Sequence, residues 1–250
     1  MWRSGKGQIL VVAAFAISLI LLSVNIYVYK NGKLDFPPRN SYLSDYAQHL
    51  KQGSIHIAAA SLINISKGGD VLNLERNIDR WADITTREYS FGWCDLNATL
   101  FSQSPYSDGV WMEWGTDGLG ISSTCVDFTL EIGGRGTEIN WDFQVNQSTE
   151  IRVLGSFDDL GGDKKNVTVI MDLYNEGFPI LASSWDLDYQ DGTLWYNASE
   201  ADGYTEIDYG NGTYRYYFNT TVTGDQMVIR LEAYDLRGVF VMTEATLSEG

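Results

Sequence analysis

The chain has 250 residues, with 17 basic and 33 acidic side chains and a formal net charge of −16. That length suffices for two small domains with cores of their own. So acidic a surface repels phosphate, which excludes nucleic acid as the expected partner.

Residues 1–8 form a short basic tail carrying Arg3 and Lys6. Residues 9–29 follow without a single charge. As a helix they would extend about 31 Å, the thickness of a bilayer's hydrocarbon core. A cleavable signal has a shorter apolar region and a small-residue exit. Here the exit is Asn25-Ile26-Tyr27-Val28-Tyr29, and its tyrosines suit the membrane interface. The run therefore reads as a retained transmembrane helix, with the tail in the cytoplasm and the lipid bilayer as its partner. No acid precedes Asp35, so the chain beyond the run carries 15 basic against 33 acidic side chains.

Gly32, Pro37 and Pro38 end the apolar helix and make residues 30–41 a stiff linker. Residues 42–154 then read as a helical hairpin followed by an antiparallel β-module. Leu43, Ala47, Leu50, Ile57, Ala58, Leu62 and Ile65 share one helical face, with Ser41 as N-cap. Gly68-Gly69 break that helix, and Asp70 is expected to cap a second one that buries Val71, Leu74, Ile78 and Trp81. From Tyr89 the apolar period falls to two. Tyr89, Phe91 and Trp93 would share one strand face. Val126, Phe128, Leu130 and Ile132 alternate with polar residues, as do Ile139, Trp141, Phe143 and Val145 after a turn at Gly133–Gly136. Residues 155–165, polar and glycine-rich, read as a linker. Residues 166–248 contain short alternating strands that suit a β-sandwich. The expected fold class is mainly β with a helical N-terminal side.

Asn-x-Ser/Thr sequons occur at Asn64, Asn97, Asn146, Asn166, Asn197, Asn211 and Asn219. From 14 Asn and 37 Ser or Thr, chance predicts about two. None precedes Asn64, so residues beyond the apolar run are expected on the extracellular side as a glycoprotein. Cys94 and Cys125 are a disulfide candidate in such a compartment, closing a loop that would contribute about 3–4 kcal/mol.

No catalytic constellation and no cofactor site is legible. His49 and His56 would stand roughly 10 Å apart along one helix, too far to share a metal. Asp186, Asp188 and Asp191 before Gly192 are a weak calcium candidate that departs from EF-hand spacing. Trp111, Trp114 and Trp195 read as sheet core rather than as a sugar platform. The protein is expected to be a non-enzyme.

Three stretches carry resemblances. "GNGTYRYYF" resembles the start of strand F in immunoglobulin-like domains, which implies a tyrosine corner at Tyr214; the family's cysteine two residues later is Tyr216 here. "GKGQILVVAAF" resembles the N-terminus of archaeal pilin-like precursors, which implies processing between Gly7 and Gln8 after Lys6. Many pilins carry a glutamate at the fifth mature position, where this chain has Val12. The whole layout is similar to archaeal single-span surface proteins. It implies a cell-membrane display, adhesion or envelope component that meets an envelope protein or a glycan, with a filament subunit as the alternative.

Overall fold

The computed structural model describes the backbone of residues 39–134 and 137–250, and side chains from Tyr42 onward. The apolar run 9–29 and the processing candidate Gly7–Gln8 lie outside the described residues. Among the described residues no helix is long and apolar enough to cross a membrane. Contacts divide the chain between Tyr46 and Ala47, and residues 47–250 make one compact unit.

Helix α1 spans Arg39–Ser66 and α2 spans Asn73–Glu88. They turn back on each other at Gly68, whose φ of 88° suits glycine, and Gly69 N–H donates to the Asn64 carbonyl. Their interface is closed by small residues. A Cβ on Gly53 would stand 2.3 Å from the Trp81 ring. Trp81 Nε1 donates to Ser54 Oγ and Asn77 Nδ2 to Ser61 Oγ, each at 3.0 Å. Ala47, Leu50, Ala58, Leu62 and Ile65 are buried as the helical spacing predicts, together with Leu74 and Ile78 of α2. Val71 is exposed because α2 starts only at Asn73, and Asp70 Oδ1 accepts from Leu72 N in the turn rather than capping the helix. Helix α2 lies on strand β1, Trp93–Leu100, and Lys51 of α1 stands over the rings of Trp141 and Phe143.

Strands β2 (Val110–Trp114) and β1 both pair with β3 (Leu119–Gly134), which continues into β4 (Thr137–Gly161). The β3–β4 register closes at Gly134 and Thr137, where the glycine-rich turn is expected. Val126, Phe128, Leu130 and Ile132 are buried as their alternation predicts. Strand β1 departs from expectation. Tyr89 and Phe91 precede it, Trp93 faces out, and Cys94 and Leu96 face in.

The remaining strands are β5 (Lys164–Asn175), β6 (Phe178–Pro179), β7 (Ala182–Asp191) and β8 (Leu194–Asn197). After a short 3₁₀ turn at Ala198–Glu200 come β9 (Asp202–Asp208), β10 (Thr213–Thr221), β11 (Met227–Asp235) and β12 (Phe240–Glu249). The sheet path runs β8-β7-β11-β12-β4-β5-β10-β9. Its two arms meet where Ser248 and Glu249 of β12 pair, in parallel, with Ser156 and Phe157 of β4. One core holds both arms together: Val153, Val169, Met171, Tyr214 and Tyr216 from one, Leu187, Ile229, Leu231 and Val241 from the other.

Residues 155–165 are a correction. They are not a linker between modules, because β4 runs through to Gly161 and a tight turn leads straight into β5. Gly155 serves close packing, since a Cβ there would stand 2.6 Å from the Thr168 carbonyl and 3.1 Å from Leu247, whereas Gly161 and Gly162 make the turn at φ 86° and 66°. β4 pairs with β3 through Arg152 and with β5 from Thr149 onward, so one strand belongs to both halves of the structure.

Candidate functional site

The residues singled out by sequence fall in different places. Cys94 and Cys125 are both buried and unbonded. Cys94 stands opposite Ile132, seven residues along β3 from Cys125. At about 3.3 Å per residue that separates them by roughly 23 Å, far beyond bridging range. The disulfide candidate is thereby corrected: antiparallel pairing put the two cysteines at different levels of neighbouring strands. Burial, then the charge of the adjacent aspartate, pushes each thiol up to about 11.

Asp186 and Asp188 lie two apart on β7, and Asp191 closes the β7–β8 hairpin opposite Leu194. Asp188 is already engaged by Arg230 at 3.2 Å, and no group of three metal-ligating side chains is gathered among the described residues. His49 and His56 are exposed on α1. Trp114 donates to Ser122 and meets Phe240 edge-on, Trp111 meets Tyr106 edge-on, and Trp195 lies under the Arg230 guanidinium at 4.3 Å. The three indoles sit in separate contacts and form no common platform.

One polar cluster is built on a fully buried carboxylate. The Asp235 carboxylate, 0 % exposed, accepts from Arg237 Nε at 2.8 Å, Asn175 Nδ2 at 2.8 Å, Thr149 Oγ1 at 3.0 Å and Val239 N at 2.8 Å. Arg237 also bonds Glu176, Gln147 and the Ser148 carbonyl. Burial alone would raise the Asp235 carboxyl; the hydrogen bonds and charge of Arg237, Val239 and Asn175 outweigh it and hold it below the usual range. Burial opposes the Arg237 charge, and Glu176 and Asp235 overcome that. Both Asp235 oxygens accept from donors of the chain itself, so the cluster ties β4, β5 and the β11–β12 turn together as part of the scaffold.

The opposite condition prevails between β7 and β9, the inner and outer strands at the two ends of the sheet path. A cleft of about 400 Å³ opens there, between Ser183–Leu187 on one side and Tyr204 and Glu206 on the other, with Asn197 and Ser199 at its end. Trp185 floors it, tilted against Tyr214 with ring centroids 4.6 Å apart. The Tyr214 hydroxyl accepts from Ala182 N at 2.9 Å. That bond reaches 32 residues back to β7, whereas a tyrosine corner bonds backbone only a few residues upstream. Tyr204 donates to Glu206 at 3.2 Å, and burial together with that carboxylate raises its phenol to about 12. Asn197 Oδ1 accepts from Ser199 N at 2.9 Å. Beneath this wall lies Tyr216, paired across strands with Glu206, wholly buried and with no partner for its hydroxyl among the described residues.

Chemically the cleft offers hydroxyls and carboxylates with no imidazole or thiol to activate a nucleophile. Sequence reasoning reached Asp186 and Asn197 in this cleft and missed Tyr204 and Glu206, whose strand reads as a polar stretch with weak alternation. No family model matches the chain, and no curated protein or solved structure does either.

Proposed function

We propose that the protein is a single-pass cell-surface glycoprotein, held by residues 9–29 in the membrane with its N-terminus in the cytoplasm. Its mainly β part stands outside the cell and works by contact, without catalysis, as a display, adhesion or envelope component. The observation that carries this reading is the placement of the sequons. All seven fall within residues 47–250, and none of their asparagines is buried: five are exposed and Asn166 and Asn197 are half-exposed. Asn211 sits in the β9–β10 turn, Asn64 near the end of α1, and the others on strands β1, β4, β5, β8 and β10. A chain selected for a cytosolic life has no reason to keep so many acceptors on its surface.

Two strand groups around one core support an immunoglobulin-like sandwich for residues 166–248, completed by the end of β4 and joined by a tyrosine anchor that departs from the family's corner. The layout is similar to that of archaeal single-span surface proteins. Its partners in this reading are the bilayer, and beyond the cell an envelope protein or a glycan. Protease shaving of intact cells tests the orientation: the β part should be released while a membrane-bound N-terminal fragment survives. Protection of the β part in cells stripped of envelope would refute it.

The Lys6-Gly7-Gln8 motif favours a second reading, a pilin-like filament subunit processed between Gly7 and Gln8. Mass spectrometry of the N-terminal peptide separates the two. A chain beginning at Gln8 and shed as shearable fibres selects the filament; an intact tail on a detergent-extracted monomer selects the anchor.

A further inference from the structure

We propose that the cleft between β7 and β9 is a docking slot for an extended, basic segment of a partner protein, which adds as a strand between the two edges. The inference stands on the cleft alone and holds whether the chain is a monomeric anchor or a filament subunit.

Strand β8 pairs with β7 only at Asp188–Asp191, and Ala182 N–H is taken by the Tyr214 hydroxyl, so among the described residues the edge from Ser183 to Leu187 has no strand beside it. Strand β9 pairs with β10 on one side and, among the described residues, with no strand on the other. Both edges border the same cleft. Unpaired strand edges are templates for another chain, and addition of an extended peptide draws its affinity from main-chain hydrogen bonds. The path from β7 to β9 has one parallel step, between β12 and β4, and the rest are antiparallel. The two edges therefore run in opposite directions, and an inserted strand is antiparallel to one and parallel to the other.

The side chains choose the occupant. Leu187 and Trp185 turn toward the core, while Asp186 and Asp188 stand on the other face of β7. Strand β9 and its approach carry Glu200, Asp202, Glu206 and Asp208 without a basic residue. A second copy would bring acid against acid, which is destabilising for facing strands. A strand alternating apolar and basic residues would set its apolar side chains on Trp185 and Leu187 and its cations against Asp186. Glu206 stands opposite Tyr216 on the core side of β9 and lines the same cleft, so it adds to the negative field that favours a cationic segment. The acids that keep this edge from pairing with its own kind thus admit a partner of opposite charge.

The test uses the full chain in detergent micelles and a capped hexapeptide of alternating Lys and Val, with a Glu/Val hexapeptide and a Lys/Val hexapeptide N-methylated at alternate residues as controls. The Lys/Val peptide should bind, and added salt should weaken it. N-methylation, or the double change Asp186→Lys with Glu206→Lys, should each cost about tenfold or more in Kd. Amide exchange should slow at residues 183–187 and 203–207 when the peptide is bound. Since both substituted carboxylates lie at the rim, an unchanged melting temperature shows that the variant is folded. Equal binding of the Glu/Val peptide, no loss on N-methylation, protection elsewhere, or no binding at millimolar peptide would each overturn the proposal. Self-association through these edges, seen in sedimentation and abolished by Glu206→Lys, would replace the partner with a second copy and overturn it too.

Discussion

Two polar regions lie in the same β structure and are finished in opposite ways. Around Asp235 a buried carboxylate meets four donors from three parts of the chain. Between β7 and β9, carboxylates face open space, strand edges lack partners, and the buried Tyr216 hydroxyl below has no acceptor among the described residues. The difference separates scaffold from site. A saturated network rigidifies and excludes ligands, whereas unmet hydrogen-bonding capacity at a surface is what a ligand can supply.

The largest effect should come from breaking the saturated region. Asp235→Ala takes one of its two carboxylate partners from the partly buried Arg237 and leaves the donors of Thr149, Asn175 and Val239 unmet, and should cost about 3–5 kcal/mol in denaturant unfolding. Loss of less than about 1 kcal/mol would show that the network carries no such weight. The same carboxylate sets an acid limit. Its pKa is lowered on folding from the ordinary value near 4, so its contribution is complete above that value and fades as pH falls through the folded pKa. Melting temperatures of the wild type should fall below about pH 4, and Asp235→Asn, already weaker at neutral pH, should show a flatter acid branch.

Smaller changes probe the open region. Tyr216→Phe removes a buried hydroxyl that has no partner among the described residues and should stabilise by about 1 kcal/mol; destabilisation would mean that the hydroxyl is satisfied. Glu206→Ala, at an exposed rim, should stay within about 0.5 kcal/mol of wild type. The smallest effect belongs to the thiols. A reductant should leave the melting temperature unchanged, and both Cys94 and Cys125 should react with an alkylating agent only after unfolding, since burial raises both thiols to about 11. A drop in melting temperature on reduction would restore the disulfide.

The same contrast marks how far the sequence could be read. Periodicity is local, and the elements it defines are legible: the buried stripe of α1, the alternation of Val126, Phe128, Leu130 and Ile132, and the strands around Tyr214 and Ile229. Gly155 misled because a glycine needed for close strand packing carries the same composition as one in a linker. The cysteines misled because strand register, which separates Cys94 from Cys125, is set by pairing and not by spacing along the chain. The cleft was legible only in fragments. Asp186 and Asn197 stood out by motif, but Glu206 joins them only because β9 ends one arm of the sheet and β7 borders the end of the other. The Asp235 cluster had no sequence signal, since Arg237 and Val239 are its near neighbours but Thr149 and Asn175 join it from β4 and β5, 86 and 60 residues away.

On the proposed reading, residues 47–250 stand outside a membrane that residues 9–29 hold. Peptide mass spectrometry of the protein recovered from alkali-washed membranes of its own cells tests this most directly. It should find carbohydrate on asparagines of the seven sequons, the exposed Asn64 and Asn211 among them. Bare asparagines throughout, on a protein that the alkali wash releases into solution, would contradict it.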